Sequence, residues 1–451
     1  MREIIDDSLR QKLKDSGIKF IRLLWCDNAN VIRTKSAHIN FLDDCARNGI
    51  GISVAQQAIP VMCDVVVPEA GLMPVGEVRL MPDWSTLTIL PYAEGHAQVL
   101  SDMIVGATRN VWEHCPRGFL RRQKKRLAER GLTLQSAFEN EFYLLYRNSE
   151  GTLKSVDETV FCQTDSMNHN RAFINNLADA FNVQGIEVEG YYPEAGPGQQ
   201  EMNIRYAESL QAADRQIIYR ETVRGVAAKH GLIASFLPMI FEDKAGSGCH
   251  INFSLWREGE NISGDSKQPN GISREAAAFV AGILDHLPAL AAVTIPSINS
   301  YRRIRPHCWV GAFRAWGYQN REAAVRICKN LVETKADRFE FKTADASSNP
   351  YLAQGALIAA GLDGLQRNLE LTEEVTVDPG YIPEDERKAK GIDLLPQSLG
   401  ESLEALLKDQ ALLEAFGEDL ARSFMAVRQA EWEALKDMNL EEEVNLLMKK
   451  Y

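Results

Sequence analysis

The stretch AFENEFYLL, residues 137–145, constrains the fold more than any other part of the chain. Its composition is that of a β-strand, and side chains in a strand alternate between two faces, so Glu139 and Glu141 point to the same side. We expect one face to carry Leu134, Ser136, Phe138, Asn140, Phe142 and Leu144, and the other Thr133, Gln135, Ala137, Glu139, Glu141 and Tyr143. Two carboxylates on one partly buried face repel each other and are costly to desolvate, so the fold must bring positive charge to them.

Length, charge and cysteine usage narrow the class of protein. A chain of 451 residues suffices for two or three domains, or for one large domain with a small companion. The net charge of −12 argues against nucleic acid and anionic membranes as partners. The eight cysteines are scattered without a CxxC pair, which is typical of reduced thiols. The first residues lack a signal-peptide pattern, and no apolar run approaches the ~18 residues of a membrane span. We therefore expect a cytoplasmic protein.

The chain divides into two regions of different pattern. Residues 1–104 contain short strand-like runs such as IKFIRLLWCD and EVRLMPD, and from residue 105 onward strands alternate with helices. The segment SREAAAFVAGILDHLPALAAVT is apolar on most sides and predicts one buried helix. The pattern predicts an α+β protein with two closely coupled domains, residues 1–104 and residues 105–451.

Three further segments carry isolated acids or a histidine where strands meet turns. GYYPEAGPGQQEMNIRY puts Glu194 and Glu201 on either side of a Gly-Pro-Gly turn, GSGCHINFSLW begins a strand with His250, and DRFEF carries Glu340. Carboxylates with one imidazole are hard ligands that suit Mg²⁺ or Mn²⁺ better than zinc. Arginines cluster in NSYRRIRPHCW and NREAAVRIC, where they could bind phosphates. Acids, metals and arginines together indicate phosphoryl transfer.

The sequence resembles the glutamine synthetase family over roughly residues 15–432. The matching motifs occur in order along the chain: ENEF, EAGPGQQE, GSGCH, NSYRR, NREAAVR and FEFKTADASSNPYL. The resemblance implies a small β-grasp-like N-terminal domain and a catalytic domain built on a curved antiparallel sheet wrapped by helices. It also implies a ring, most simply a dodecamer, with each site at the contact between one subunit's catalytic domain and the next subunit's N-terminal domain.

The resemblance also assigns roles to residues of this chain. One metal site would use Glu141, Glu194 and Glu201, and the other Glu139, His250 and Glu340. Arg321 and Arg326 would steady the transferring phosphoryl group, although an ion-pair role within the fold is the alternative. Arg303 would bind the substrate carboxylate, with the same ion-pair role as the alternative, and Gly246 would contribute a backbone contact. The ATP contacts would be Glu189, Tyr206, Asn252, Ser254 and Arg338.

The departures from the family pattern concern the amine side of the reaction. The N-terminal region reads GISVAQQAIPVMCD, without the aspartate that helps the family bind ammonium. The flap position that normally carries a glutamate is Trp309, and no glutamate lies between Asn299 and Asn320. Trp309 could hold a cation on its ring face, although an ordinary packing role in a loop is the alternative. Near the substrate acid, Ala245 replaces an asparagine and Lys342 replaces an arginine.

These features lead to three ranked hypotheses. The first is an ATP-dependent ligase that activates glutamate, or an analogue, as an acyl phosphate and joins it to an amine other than ammonia. Related enzymes use methylamine, polyamines, ethanolamine or aromatic amines. The second is a glutamine synthetase that uses ammonia through an unconventional site. The third is a non-catalytic structural or regulatory relative, against which six intact acid and histidine positions argue, because such acids repel without metal ions.

Overall fold

The N-terminal part of the chain forms one mixed sheet. The computed structural model describes residues 5, 7–330, 332 and 335–451. Two helices, α1 (Asp7–Asp15) and α2 (Leu42–Asn48), accompany this sheet. Its strands are β1 (Phe20–Cys26), β2 (Ile32–His38), β3 (Ile50–Ser53), β4 (Glu77–Pro82), β5 (Thr88–Ile89) and β6 (His96–Ile104). They lie in the order β2-β1-β6-β4-β3, and β5 pairs with β6. Strands β1 and β6 are parallel, and the other pairs are antiparallel.

The second sheet contains the motif strands. Its strands are β7 (Thr133–Arg147), β8 (Leu153–Ser155), β9 (Val188–Pro193), β10 (Gln199–Ile204), β11 (Ala207–Glu208), β12 (Ile233–Ser235), β13 (Cys249–Arg257), β14 (Glu260–Asn261), β15 (Phe313–Tyr318), β16 (Ala323–Lys329) and β17 (Ala336–Phe341). The main path runs β15-β16-β17-β13-β7-β10-β9. All pairs among the described residues are antiparallel except β15 with β16, where the prediction of an antiparallel sheet is wrong. Gln319, with φ of 53°, lies in the short link between these two strands.

The long strand β7 has the predicted alternation. Leu134, Ser136, Phe138, Asn140 and Phe142 are buried, while Gln135, Ala137, Glu139 and Glu141 are half-buried on the opposite face. The pattern ends at Tyr143, where both faces become buried. The apolar face of β7 packs into the largest core cluster of the protein, so the sheet cannot slip by one residue without moving the acids into that core.

Helices pack around the second sheet. They are α3 (Pro116–Ala128), α4 (Thr164–Val183), α5 (Ser209–Lys229), α6 (Arg274–Asp285), α7 (Leu287–Thr294), α8 (Ser300–Arg303), α9 (Pro350–Arg367), α10 (Glu384–Ala389), α11 (Leu399–Lys408), α12 (Gln410–Phe416), α13 (Glu418–Leu435) and α14 (Leu440–Leu447). The mixed α and β composition, the N-terminal β domain and the curved catalytic sheet confirm the predicted fold class. The boundary between residues 104 and 105 stays a prediction.

The predicted single helix over residues 273–294 is instead two helices. Helices α6 and α7 meet at an angle of 75°, with His286 between them and Pro288 in the first turn of α7. Proline has no N–H and clashes with the preceding turn, so it favours a new helix start. The predicted burial is confirmed, since most residues of both helices are buried. Within the described residues, no single helix is long and apolar enough to cross a membrane. Only α6 and α7 taken together, as a bent pair, reach that length and apolar composition.

Two buried ion clusters join distant parts of the chain. The Arg117 guanidinium on α3 contacts Asp83, Asp102 and Asp214, at 2.7 to 2.8 Å. Because Asp102 lies on β6 and Asp214 on α5, this arginine connects the N-terminal sheet to the helices behind the second sheet. The second cluster is centred on His286, which lies between two aspartates. Its Nδ1 is 2.6 Å from Asp409, and its Nε2 is 2.9 Å from Asp363.

Candidate active site

Strand pairing brings the six predicted acid and histidine positions together on one face of the second sheet. Glu141 on β7 lies directly opposite Glu201 on β10. Glu139, two residues earlier on β7, lies opposite His250 on β13. Residues directly opposite on adjacent strands have Cβ atoms roughly 5 Å apart, so these pairs are neighbours by register alone. The partners are distant in the sequence, by 60 residues for Glu141 and Glu201 and by 111 residues for Glu139 and His250.

The first cluster consists of Glu139, His250 and Glu340, whose potential ligand atoms all lie within 4.8 Å of one another. His250 Nδ1 is 3.4 Å from Glu139 Oε1 and 3.3 Å from Glu340 Oε1. His250 is 5% exposed and Glu340 is 1% exposed, so this cluster lies at the bottom of the site.

Cations next to the first cluster keep Glu340 ionised. Burial alone would raise the pKa of this carboxyl, but Lys342, His250 and Arg326 outweigh burial and lower its pKa to about 2. Arg326 Nη1 donates to Glu340 Oε2 at 2.7 Å, and Lys342 Nζ donates to Oε1 at 3.1 Å. The buried acids were expected to need positive charge nearby. Arg326 and Lys342, both predicted to bind the substrates, supply part of that charge.

The second cluster consists of Glu141, Glu194 and Glu201, again with potential ligand atoms within 4.8 Å. Glu141 accepts hydrogen bonds from Gly248 N at 2.8 Å and from Gln199 Nε2 at 3.3 Å. Glu194 accepts one from Ala195 N at 3.0 Å, and Glu201 accepts one from the Tyr192 hydroxyl. No lysine or arginine forms an ion pair with this cluster among the described residues.

Burial and repulsion between neighbouring carboxylates raise the pKa values of two acids in the second cluster. Burial and the Glu141 carboxylate raise the pKa of Glu194 to about 8. Burial, Glu139 and Glu141 raise the pKa of Glu201 to about 10. Protons or a cation must neutralise this negative charge at neutral pH, and three carboxylates are the donor set that Mg²⁺ and Mn²⁺ accept. His250 Nε2 lies 3.9 Å from Glu141 Oε1, so the two clusters are adjacent.

The residues predicted for ATP extend from the first cluster toward the far end of β13. Asn252 Nδ2 donates to Glu139 Oε2 at 3.1 Å, and Arg338 Nε donates to Asn252 Oδ1 at 3.1 Å. Ser254 Oγ accepts from Trp256 Nε1 at 2.8 Å, and the Trp256 ring lies 6.3 Å from that of Tyr206. Glu189 is exposed, and its carboxylate lies 3.9 Å from the Arg205 guanidinium. Trp256 was not among the predicted residues, although its spacing from Ser254 on one strand face could have indicated it.

Arg303 and Gly246 form the next wall of the site. A Cβ atom on Gly246 would lie 2.6 Å from Arg303 Cγ and 2.6 Å from the Pro238 carbonyl oxygen, so only glycine fits here. Arg303 Nη2 donates to the Ala344 carbonyl at 2.8 Å. Its Nε is buried and has no hydrogen-bond partner in the part of the chain that the structure describes. A buried guanidinium with a free N–H is suited to a substrate carboxylate.

Trp309 lies on a loop that connects α8 to β15. We call residues 304–312 the Trp309 loop. Its indole is 62% exposed, and the Arg321 guanidinium lies 6.0 Å from the ring centroid. The Trp309 backbone N–H donates to Glu322 Oε1 at 2.7 Å. Glu322 was not among the predicted residues, although the sequence places this acid directly after Arg321, a predicted phosphoryl-binding arginine.

Comparisons with known proteins identify the family of the chain. The glutamine synthetase N-terminal domain family matches residues 8–113, and the glutamine synthetase catalytic domain family matches residues 113–446. The chain is 36% identical to gamma-glutamylpolyamine synthetase GlnA3 of Streptomyces coelicolor, over 94% of this chain and 92% of that protein. It is 29% identical to type-1 glutamine synthetase 1 of Dictyostelium discoideum, over 99% of this chain and 92% of that protein. The solved GmaS/ADP complex is similar with a TM-score of 0.84 and 26% identity, over 99% of both chains. The chain therefore belongs to the glutamine synthetase family.

Proposed function

We propose that this protein is an ATP-dependent ligase that joins the side-chain carboxylate of glutamate, or of a close analogue, to an organic amine other than ammonia. The reaction class is inferred from one observation: two adjacent acid clusters are bordered by the cations of Arg326 and Lys342. Phosphoryl transfer depends mainly on positioning and charge neutralisation, and this site offers both. The similarity to a gamma-glutamylpolyamine synthetase supports an organic amine, and polyamines are the first class to test.

The two clusters are proposed to hold at least two divalent ions, Mg²⁺ or Mn²⁺. Their donors are five carboxylates and one imidazole, and the low pKa of Glu340 keeps that ligand ionised. Hard oxygen donors of this kind suit these ions better than zinc. Bound ions would neutralise the phosphates of ATP and the acids of the second cluster. Arg321 and Arg326 would hold the transferring phosphoryl group, with ATP along Glu189, Tyr206, Asn252, Ser254 and Arg338.

The acid and amine are proposed to bind on the side of the site that carries Arg303. Two observations support a carboxylate contact there: Arg303 Nε has no hydrogen-bond partner among the residues described, and Gly246 approaches Arg303 closely. Lys342 supplies positive charge where the family has an arginine, and its ammonium already contacts Glu340. Trp309 is proposed to cover the amine. An exposed indole within reach of a guanidinium can hold an alkylammonium group on the same ring face.

The proposed assembly is a ring, most simply a dodecamer, in which the domain of residues 1–104 completes the site of the next subunit's domain of residues 105–451. Use of ammonia is the second candidate function, because several relatives of similar identity are named glutamine synthetase. The missing flap glutamate argues against it. A non-catalytic role is disfavoured by the unneutralised second cluster, which has no structural benefit without a cation.

The test is phosphate release from ATP with Mg²⁺ and glutamate, with a panel of nucleophiles. The panel contains no amine, ammonium, methylamine, ethanolamine, putrescine, spermidine and an aromatic amine. The proposal expects turnover that depends on one organic amine while ammonium stays near the background. Strong turnover with ammonium would establish the second candidate. No turnover with any nucleophile, together with no thermal stabilisation by Mg²⁺ and ATP, would favour the non-catalytic role.

A further inference from the structure

We propose that Glu322 supplies the carboxylate of the amine site, in place of the acid that the flap lacks. This inference rests on the proposed function and assigns one residue to the recognition of the amine. One oxygen of Glu322 would hold the Trp309 loop, and the other would receive the N–H of the incoming amine.

The Glu322 side chain is buried, and only one of its carboxylate oxygens is hydrogen-bonded within the described residues. The residue is 6% exposed, and it directly precedes strand β16. Its Oε1 accepts the Trp309 N–H at 2.7 Å, whereas its buried Oε2 has no hydrogen-bond partner among the residues described. A buried carboxylate oxygen without a partner is costly, so its retention points to a group that binds there during function.

Glu322 lies beside Arg321 and close to Lys342, which contacts the first cluster. Arg321 is its direct neighbour in the chain and faces the Trp309 indole. Lys342 is close enough for its charge to affect the Glu322 carboxyl, and its ammonium contacts Glu340 of the first cluster. A Cβ atom on Gly311, in the Trp309 loop, would lie 3.0 Å from Lys342 Cβ. Glu322, the loop and the first cluster therefore meet around one lysine.

The Trp309 loop, whose backbone contacts Glu322, is also held at two other points. His307 Nδ1 lies 2.7 Å from Asp378 Oδ2, and the Gly311 carbonyl accepts from Thr343 Oγ1 at 2.9 Å. Between these contacts, Trp309 has a φ of 60°, a conformation that is unfavourable for a bulky residue. The hydrogen bond from its N–H to Glu322 helps to maintain this conformation. With that bond kept, a small outward movement of the exposed Trp309 side chain would open the second carboxylate oxygen to the amine.

The proposed proton balance is simple. An alkylamine arrives as an ammonium ion, and Glu322 takes one of its protons. The nitrogen lone pair then forms the C–N bond at the acyl carbon, the C–O bond to phosphate breaks, and phosphate leaves with the electron pair. The second nitrogen proton leaves with the departing phosphate. Burial and the Asp378 charge raise the pKa of Glu322, while the Trp309 N–H, His307 and Lys342 lower it, with burial prevailing. This direction favours proton acceptance.

The test compares two nucleophiles in the full-length enzyme. Putrescine is cationic at neutral pH, and hydroxylamine is uncharged there and needs no carboxylate partner. Glu322→Gln keeps an oxygen acceptor for the Trp309 N–H but removes the charge, and Glu322→Ala removes both. Glu374→Gln is the matched control, because Glu374 also accepts a backbone N–H, from Tyr318 at 3.0 Å. If methylamine or ethanolamine is the better substrate in the panel, it replaces putrescine.

The inference expects kcat/KM for putrescine to fall ~10²-fold in Glu322→Gln, as for loss of a general base. The KM values for ATP and glutamate, the hydroxylamine rate and the thermal midpoint should stay close to those of the parent enzyme. Glu322→Ala should also slow the hydroxylamine reaction, since the loop loses its anchor, and Glu374→Gln should change neither rate. The inference would be overturned if Glu322→Gln and the parent enzyme had the same kcat/KM for putrescine. It would also be overturned if Glu322→Gln lost the putrescine and hydroxylamine reactions to the same extent. A parent enzyme that is silent with every amine would instead refute the proposed function.

Discussion

Binding of Mg²⁺ to the metal-free protein should expel protons from the second cluster. Without a metal ion, the pKa of Glu194 is raised to about 8 and that of Glu201 to about 10, by burial and by the neighbouring carboxylates. Both side chains therefore hold a proton at pH 7, whereas carboxylates that bind a metal ion are ionised. Saturation with Mg²⁺ at pH 7 should thus release about two protons per chain. At pH 9 the number should fall to about one, because Glu194 is then already ionised.

Titration calorimetry in two buffers of different protonation enthalpy measures this number directly. Protons compete with the metal ion, so the apparent Mg²⁺ affinity should increase from pH 6 to pH 9. Glu141→Gln removes a ligand and the charge that raises both pKa values, and it should weaken binding and reduce the proton release. Glu187→Gln is the control, since Glu187 is an exposed acid outside the cluster. Mg²⁺ binding with a heat that does not depend on the buffer would refute this reasoning.

Three other variants test separate parts of the structure. Burial raises the pKa of Asp83, but Ser85 and two arginines lower it from 3.8 to about 2, so Asp83→Asn should cost about 2 kcal/mol of unfolding free energy at pH 7. That cost should disappear as the pH falls toward 2, as measured by urea unfolding. Burial lowers the pKa of His286, but its two aspartates prevail and raise it above 6.5. His286→Gln should therefore lower the thermal midpoint most below pH 6.5, and less as the pH rises through the raised pKa. Trp309→Ala should raise the KM for the organic amine without lowering the thermal midpoint, because the indole is 62% exposed.

Much of the site could be predicted from the sequence because the features that place its residues depend on short, continuous segments. The alternation in β7 and the turn between Glu194 and Glu201 each depend on a few consecutive residues. The bend between α6 and α7 could also have been predicted, since Pro288 marks a helix start within an apolar run. The structure brings all six predicted positions into the two clusters, and their roles as metal ligands stay predictions until an ion is measured.

The environment of each charged group could not be predicted, because it depends on residues far apart in the chain. The sequence offers the same residue type at Glu340 and Glu201. Strand pairing gives Glu340 contacts with Arg326 and Lys342, and its pKa falls to about 2. Glu201 has acids and a tyrosine as neighbours, and its pKa rises to about 10. Coulomb interactions act over a few ångströms in a buried site, so only the packed structure separates these two glutamates.

The sequence by itself therefore determined which residue types are available, which face of a strand they occupy and which family the chain resembles. These properties follow from side-chain chemistry and from the two-residue period of a strand. The tertiary structure alone decided that Glu322 accepts the Trp309 backbone N–H, and that its other oxygen has no partner in the described part of the chain. That contact depends on how the Trp309 loop packs against the link between β15 and β16, and on the burial of the Glu322 carboxylate there, which no local pattern contains.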